Sequence, residues 1–180
     1  MGSVRVVAYD PAWPHRFEAL RRRIQAGVGD IALAIEHVGS TAVPGLPAKP
    51  VIDLDVVVPR GAMSEGIGRL ARLGYAPRGD LGIPDREAFR PPPGPPRHHL
   101  YLCPADSRAL ANHLAVRDHL RRHEDDARAY GRLKLRLAER HAEDVDAYVE
   151  GKTGFLLDIL RRSGFDSEAL EEIEGMNRRP

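Results

Sequence analysis

The chain has 180 residues, of which 29% are charged, and its formal net charge at pH 7 is +1. This length suits one domain with its own core, and the balanced charge gives no general attraction to nucleic acid or membrane surfaces. Cys103 is the only cysteine, which excludes an intrachain disulfide and favours a reducing compartment. No apolar run approaches the roughly 20 residues of a membrane-spanning helix. We therefore expect a cytoplasmic protein that is not bound to membranes.

Apolar periodicity and turn residues divide the chain into short strands and helices. The predicted strands are 4–7, 31–38, 51–58 and 97–103, with weak strands near Tyr75 and Phe89. The first predicted helix starts at Asp10-Pro11 and carries Trp13 and Phe17. The other predicted helices are 62–73, one that starts at Ser107, 124–139 and 143–162. This order predicts an α/β (α+β) domain over 1–165. Its sheet-containing half covers about 1–105 and its helical half about 106–165, and a polar tail follows at 166–180.

Two carboxylates in the apolar strand 51–58 are the main indication of function. Asp53 and Asp55 are two residues apart, so in a strand their side chains project from the same face. Adjacent buried carboxylates are unfavourable unless a cation shares their site, and Mg²⁺ prefers oxygen ligands. The pattern therefore predicts a divalent-metal site. It is about equally compatible with an exposed strand end, or with neutralisation of the pair by Lys49 or by an arginine from a helix.

The segment Gly39, Ser40 and Thr41 is a second indication, at the end of the strand 31–38. Glycine lets a backbone approach a phosphate closely, and amides and hydroxyls at such a bend donate hydrogen bonds to phosphate oxygens. A Gly-Ser-Thr turn is common on its own, but here it lies shortly before an Asp-apolar-Asp strand. The combination predicts a phosphate site beside the carboxylate pair.

A strand that ends in Gly-Ser, followed by Asp-apolar-Asp-apolar, resembles the signature of the nucleotidyltransferase superfamily. The run EHVGSTAVPGL at 36–46 and its continuation AKPVID at 48–53 resemble the hallmark of the GrpB-like branch. Further matching positions extend the resemblance over about residues 4–162: Tyr9-Asp10-Pro11, Trp13, Phe17-Glu18, His98-His99-Leu100, Arg117-Asp118-His119-Leu120, Tyr130, Leu133-Lys134, Tyr148, Gly151-Lys152 and Phe155.

The resemblance implies a nucleotidyltransferase-type mixed sheet flanked by helices, with accessory C-terminal helices. It also implies Mg²⁺- or Mn²⁺-dependent transfer of a nucleoside monophosphate from a nucleoside triphosphate to an acceptor. Asp53 and Asp55 are then metal ligands, and Gly39, Ser40 and Thr41 hold phosphate.

A third carboxylate is often contributed by a neighbouring strand in this superfamily, and its expected place is the strand 97–103. That strand offers His99 and Tyr101 instead, and Tyr101 departs from the His-Leu-His usual in the branch. A neutral histidine can accept a proton or bind a metal, so His99 is a catalytic candidate and Tyr101 a substrate-binding candidate.

Basic side chains complete the predicted site. Lys49 is a candidate for phosphate binding, and Arg117, Lys134 and Lys152 are candidates for binding other parts of a substrate. For Arg117 and Lys134, an exposed and solvated helix surface is nearly as good an interpretation. His37 is a further candidate, with simple filling of the strand end as its alternative.

A second function is compatible with the same residues. Because no third carboxylate is found, the pocket could serve a non-catalytic module that binds a nucleotide or a coenzyme A precursor and docks on or regulates a partner enzyme. Some GrpB-like relatives are fused to dephospho-CoA kinase, which implies a partner enzyme in coenzyme A metabolism.

Overall fold

The computed structural model describes residues 3–177 and contains a five-stranded mixed sheet flanked by helices. The helices are α1 (Trp13–Val28), α2 (Met63–Arg72), α3 (Arg108–Arg122), α4 (Glu124–Arg140), α5 (Val145–Arg162) and α6 (Ser167–Asn177). The strands are β1 (Ala34–Val38), β2 (Ile52–Val58), β3 (Ala76–Pro77), β4 (Glu87–Arg90) and β5 (His98–Pro104). The predicted α/β class with a mixed sheet is therefore confirmed.

The sheet has the strand order β1-β2-β5-β4-β3. Strands β2 and β5 are parallel, and the other three neighbouring pairs are antiparallel. Strand β2 therefore has a hydrogen-bonded neighbour on each side, and most of its residues are buried. This position explains its nearly continuous apolar sequence, because a strand covered on both faces needs apolar residues on both.

One face of the sheet packs against α1 and α2. Trp13 and Ile24 of α1, Leu70 of α2, Leu54 of β2 and Leu100 of β5 belong to one core cluster and are completely buried. The helix α1 begins two residues later than predicted, at Trp13, and the Asp10 carboxylate accepts a hydrogen bond from the Ala12 amide at 2.9 Å.

The C-terminal helices cover the other face. Leu110 of α3 packs with Val57 and Cys103 of the sheet, while α4 and α5 form a second cluster around Tyr130 and Ile159. The Ser107 hydroxyl accepts a hydrogen bond from the Leu110 amide at 3.2 Å, as expected for an N-cap residue. Among residues 3–177, no helix combines the length and hydropathy that crossing a bilayer requires.

Two segments differ from the sequence-based expectation. Residues 4–7 do not form a full strand, because only Val7 pairs with Ala48. The segment predicted as a polar tail contains the helix α6, whose Leu170 and Ile173 are buried against Leu157 and Leu160 of α5. These few apolar side chains lie on one face of an otherwise acidic helix. The polar composition of the segment therefore did not predict that it packs against α5.

The central packing of β2 gives a direct test of the fold. Leu54→Ala should lower the free energy of unfolding by about 2–5 kcal/mol, because it leaves a cavity in a fully buried layer. Leu33→Ala removes the same atoms from a side chain that is 61% exposed, so it should cost less than about 0.5 kcal/mol. Urea unfolding measures both, and equal losses would contradict the described packing.

Candidate functional site

The strand register places the two aspartates on one face of the sheet. Asp53 pairs with Val38 of β1 and with His99 of β5, and Asp55 pairs with Glu36 and Tyr101 in the same way. Laterally paired residues project to the same face, so these side chains share the side that α3 covers. The strand 97–103 is thus the neighbour of the aspartate pair, in the place where a third carboxylate was expected.

Asp53 is held between a histidine and a glycine. The His99 Nδ1–H donates a hydrogen bond to the Asp53 Oδ1 at 2.8 Å. A β-carbon added to Gly39 would lie only 2.3 Å from the Asp53 Oδ2, so glycine is needed for the bend to lie this close to the carboxylate. Asp53 remains 28% exposed, so its carboxylate stays accessible from the cavity.

Asp55 lies deeper and is completely buried. The His113 Nδ1–H from α3 donates a hydrogen bond to its Oδ2 at 2.7 Å. Its Oδ1 is buried without a hydrogen-bond partner, which is unusual because a buried charged oxygen is costly to leave unpaired. Burial lowers the pKa of His113, but the charge and hydrogen bond of Asp55 outweigh it, and the pKa lies above its ordinary value.

Two arginines of α3 form hydrogen bonds with the backbone of the bend after β1. Gly39 has φ +68°, and Ser40–Ala42 form a single 3₁₀ turn. Arg121 donates a hydrogen bond to the Ala42 carbonyl at 2.9 Å, and Arg117 donates one to the His37 carbonyl at 3.1 Å. Carbonyls at both ends of the bend are therefore bound by α3, on the side that also contributes His113.

A cavity of about 430 Å³ lies between this face of the sheet and the helices α3, α4 and α5. Ten predicted site residues line it: Gly39, Ser40, Thr41, Lys49, Asp53, His99, Tyr101, Arg117, Lys134 and Lys152. Asp55 and His37 are not in the lining. Asp55 lies on the same face, behind His113.

His37 lies on the opposite face of the sheet from Asp53, because it pairs with Leu54. Its ring stacks on Phe17 of α1 with centroids 4.6 Å apart, and its Nε2 shares a hydrogen bond with the Thr41 hydroxyl at 3.0 Å. His37 does not line the cavity, and its connection to the cavity is its hydrogen bond with Thr41, which does. Burial lowers the pKa of His37 to about 4.

The basic side chains around the cavity differ in their partners. Arg117 forms ion pairs with Glu36 at 2.6 Å and with Asp118 at 2.7 Å, so its charge is already balanced within the protein. Lys134 is 2% exposed, which excludes the solvated-surface alternative for this residue. Lys49 and Lys152 are half-buried, and both lie over the ring of Tyr148.

Tyr101 forms part of the wall between the two aspartates and Arg86. The Arg86 guanidinium lies 4.3 Å from the centre of the Tyr101 ring. Burial, followed by the charge of Asp53, raises the pKa of Tyr101 to about 12. Its phenol therefore stays protonated at neutral pH and remains able to donate a hydrogen bond.

Few side chains in the described part of the chain are placed to act as metal ligands. In the described part of the chain, no three His, Cys, Asp or Glu residues are grouped so as to hold a metal ion. The two aspartates provide oxygen donors, and the unpaired Oδ1 of Asp55 is an atom that a cation would satisfy. These residues fit a cation that keeps several water ligands, as Mg²⁺ does.

Sequence reasoning did not identify His113. Its residue type gave no signal, and only its position four residues before Arg117 placed it on the same face of α3. The contact with Asp55 joins residues 58 positions apart in the chain. Such a contact depends on how α3 crosses the sheet, which spacing does not reveal.

Gly39 offers a test of the contact between the bend and the carboxylate. Gly39→Ala should cost more than the roughly 1–3 kcal/mol of an alanine in a backbone region that only glycine adopts readily (φ +68°, ψ −172°), because its Cβ also collides with Asp53. Gly45→Ala is the control for a positive φ without a collision, since Gly45 has φ +76° and nothing within 4 Å of an added Cβ. Chemical denaturation compares them, and a Gly39→Ala loss no larger than that of Gly45→Ala would contradict the contact.

His37 should make stability depend on pH. Its folded pKa of about 4 lies below the unfolded value of 6.5, so the folded state binds fewer protons between these values. The stability is fully present above pH 6.5 and falls by about 1–3 kcal/mol as pH drops towards 4.

The measurement is the free energy of unfolding between pH 4 and 7. His37→Asn should flatten the profile relative to the original chain, whereas His15→Asn, which changes an exposed histidine, should leave the slope unchanged. Parallel profiles for the original chain and His37→Asn would refute a buried neutral His37.

Comparisons with known proteins identify relatives of this chain. A UPF0157 protein of Pseudomonas aeruginosa is 39% identical over 165 residues, which cover 89% of this chain and 67% of that protein. A UPF0157 protein of Bacillus subtilis is 33% identical over 83% of this chain. A dephospho-CoA kinase of Mycolicibacterium paratuberculosis is 32% identical over 89% of this chain. The chain spans only 44% of the Bacillus protein and 46% of the kinase.

The crystal structure of the conserved protein GrpB from Enterococcus faecalis superposes with a TM-score of 0.78 and 33% identity. The alignment covers 93% of this chain and 98% of that one. Terminal uridylyl transferase 4 from Trypanosoma brucei with bound UTP aligns more distantly, with a TM-score of 0.49 and 14% identity. The alignment covers 91% of this chain and 63% of that one. This similarity is too weak to indicate a shared function. Residues 3–162 match the family described as GrpB protein, and the chain belongs to that family.

Proposed function

We propose that this chain is a Mg²⁺-dependent nucleotidyltransferase, which moves a nucleoside monophosphate from a nucleoside triphosphate to an unidentified acceptor. The observation that supports this proposal is the close approach of the Gly39 bend to Asp53, with Asp55 on the same strand face. Acidic metal ligands and a phosphate-binding bend are the two elements that the reaction requires at one place.

Asp53 and Asp55 would hold the metal, through an accessible carboxylate and through the unpaired Oδ1 of Asp55. When bound, Mg²⁺ would neutralise the phosphate oxygens and the departing pyrophosphate. Water and phosphate oxygens would complete its coordination, which accounts for a site with only two protein carboxylates.

The bend would hold the phosphates. Ser40 and Thr41 line the cavity, where the backbone amides of this bend can donate hydrogen bonds to phosphate oxygens. Arg117 and Arg121 bind the carbonyls at 37 and 42, so the bend is fixed before a substrate arrives. A donor site that is already formed avoids the cost of ordering a loop on binding.

His99 is suited to accept the proton of the acceptor. Because its Nδ1–H is donated to Asp53, the neutral ring has its lone pair on Nε2. An acceptor oxygen would form a bond to the α-phosphorus, the bond from that phosphorus to the bridging oxygen would break, and the hydroxyl proton would pass to Nε2. Asp53 orients the ring for this transfer, in the way that a carboxylate orients a catalytic histidine.

A second candidate function is a non-catalytic module that binds a nucleotide or coenzyme A precursor and docks on a partner enzyme. It is favoured by the absence, among residues 3–177, of a third acidic or histidine ligand grouped with the aspartates. The relative named dephospho-CoA kinase, in which this chain spans 46% of the length, supplies the coenzyme A context. In this alternative, ligand binding would persist without Mg²⁺ and in Asp53→Ala.

Transfer from a triphosphate labelled at the α-phosphate tests the proposal. The original chain with Mg²⁺ should label at least one member of a broad acceptor panel, and EDTA should stop the reaction. Asp53→Asn and Asp55→Asn should each lower the rate by about 100-fold or more, because a lost metal ligand costs at least as much as a lost outer-shell partner.

Asp158→Asn is the matched control, since Asp158 forms a surface ion pair with Arg161 and is 67% exposed. Its rate should equal that of the original chain. Failure of the original chain to label any acceptor, or full activity in Asp53→Asn, would reject the transferase. Mg²⁺-independent ligand binding in Asp53→Ala would then support the binding module.

A further inference from the structure

All three lysines of this chain lie on one cavity. The sequence contains 27 basic residues, of which only Lys49, Lys134 and Lys152 are lysines and the other 24 are arginines. Each of the three lines the cavity beside Asp53. A chain that otherwise uses arginine for positive charge therefore has lysine at this site alone.

The three ammonium groups converge on two buried tyrosines. The Nζ atoms of Lys49 and Lys152 lie 5.7 Å and 4.6 Å from the centre of the Tyr148 ring. The Nζ of Lys134 lies 4.7 Å from the centre of the Tyr130 ring and donates a hydrogen bond to the Pro47 carbonyl. Aromatic faces stabilise a cation without neutralising it. We call these three residues the lysine cluster.

The lysine cluster has no anionic partner of its own within residues 3–177. Arg117, the arginine that lines the cavity, forms ion pairs with Glu36 and Asp118, whereas none of the three lysines forms an ion pair within the described residues. Asp53 acts on Lys134 and Lys152 only at longer range, and the lysines repel one another. Excess positive charge inside a cavity favours an anionic ligand.

Lysine differs from arginine in that it can lose its positive charge when it is buried without an anion nearby. Burial, followed by the charge of Lys152, lowers the pKa of Lys134 to about 7. Burial, followed by the charge of Lys49, lowers the pKa of Lys152 to about 8. Both can release a proton near neutral pH, whereas arginine remains charged. The charged groups that face them are Asp53 from β2 and Lys49, and the neutral phenols of Tyr130 and Tyr148 complete the surroundings.

We propose that the lysine cluster is a polyphosphate subsite, which takes a ligand with at least two linked phosphate groups. One phosphate carries about −1.5 to −2 near neutral pH, which is less than the charge of three ammonium groups. Two or more linked phosphates supply the remaining charge and can contact more than one of the three lysines that line the cavity. Identifying this subsite with the position of the departing pyrophosphate rests on the proposed function, whereas the binding itself does not.

Selective lysine modification tests the subsite on the original chain. Pyridoxal 5′-phosphate forms an imine with a neutral amine and releases water, and borohydride then reduces the imine to a stable secondary amine. Peptide mapping separates the three lysines from the N-terminal amine. Labelling of Lys134 and Lys152 near pH 7.5 should be fast and should fall at least tenfold in the presence of inorganic tripolyphosphate. Orthophosphate at the same concentration should protect much less.

Substituted chains test the same claim by titration calorimetry with tripolyphosphate. Lys134→Met and Lys152→Met should each weaken binding by about ten- to one-hundredfold, the usual effect of losing one charge-assisted hydrogen bond. Arg136→Met is the matched control, because it removes an exposed positive charge from the same helix as Lys134. Its affinity should be unchanged.

Proton uptake gives a readout that a general electrostatic effect would not produce. In two buffers with different ionisation enthalpies, tripolyphosphate binding at pH 7.5 should show net proton uptake, and affinity should fall as pH rises from 7 to above 8. Lys134→Arg keeps the charge but cannot release the proton, so it should reduce the uptake. These observations need no Mg²⁺ and no acceptor.

The outcomes separate this inference from the transferase proposal. Equal protection by orthophosphate and tripolyphosphate, or unchanged affinity in both methionine variants, would overturn the subsite. Protection by tripolyphosphate without any nucleotidyl transfer would reject the transferase and keep the subsite. Transfer activity with no protection of the lysines would reject the subsite and keep the transferase.

Discussion

The burial of the Asp55 carboxylate with one of its two oxygens unpaired is the constraint on which the rest of the site depends. This carboxylate lies in an interior strand with no solvent exposure, and only one of its oxygens has a hydrogen-bond partner, the Nδ1–H of His113. A charge in that position is unfavourable unless a cation is near, since burial removes its hydration. The raised pKa of His113 compensates in part. The remaining oxygen faces the side of the sheet that also carries Asp53 and is covered by α3, where a divalent cation would satisfy it.

Charges of opposite sign share one cavity. Asp53 of β2 lines it together with Lys134 and Lys152 of the helical half and Lys49 of the segment before β2. Arg117 of α3 forms ion pairs with Glu36 and Asp118, so its charge is balanced within the protein, whereas Arg121 is bound to the Ala42 carbonyl. A ligand that carries linked phosphates, with a metal at the aspartates and ammonium groups of the lysines around it, would balance both sets of charges.

The sequence alone predicted the parts of the site that depend on local periodicity. Alternation along a strand placed Asp53 and Asp55 on one face, and the apolar run around them predicted an interior strand; the structure confirms both. His113 could not be predicted, because its contact depends on the path of α3 across the sheet. His37 was a candidate for substrate binding, but its pairing with Leu54 places it on the opposite face of the sheet from Asp53. The helix α6 was missed because its few buried apolar residues are separated by acidic ones.

The central claim is that Asp53 and Asp55 together bind a divalent cation beside the Gly39 bend. Anomalous diffraction from crystals soaked with Mn²⁺ and a non-hydrolysable nucleoside triphosphate tests it most directly. The account predicts one manganese peak in contact with both carboxylates, with the phosphates extending from the bend towards the three lysines. Manganese density away from these two aspartates, or a triphosphate bound with no metal between it and β2, would contradict it.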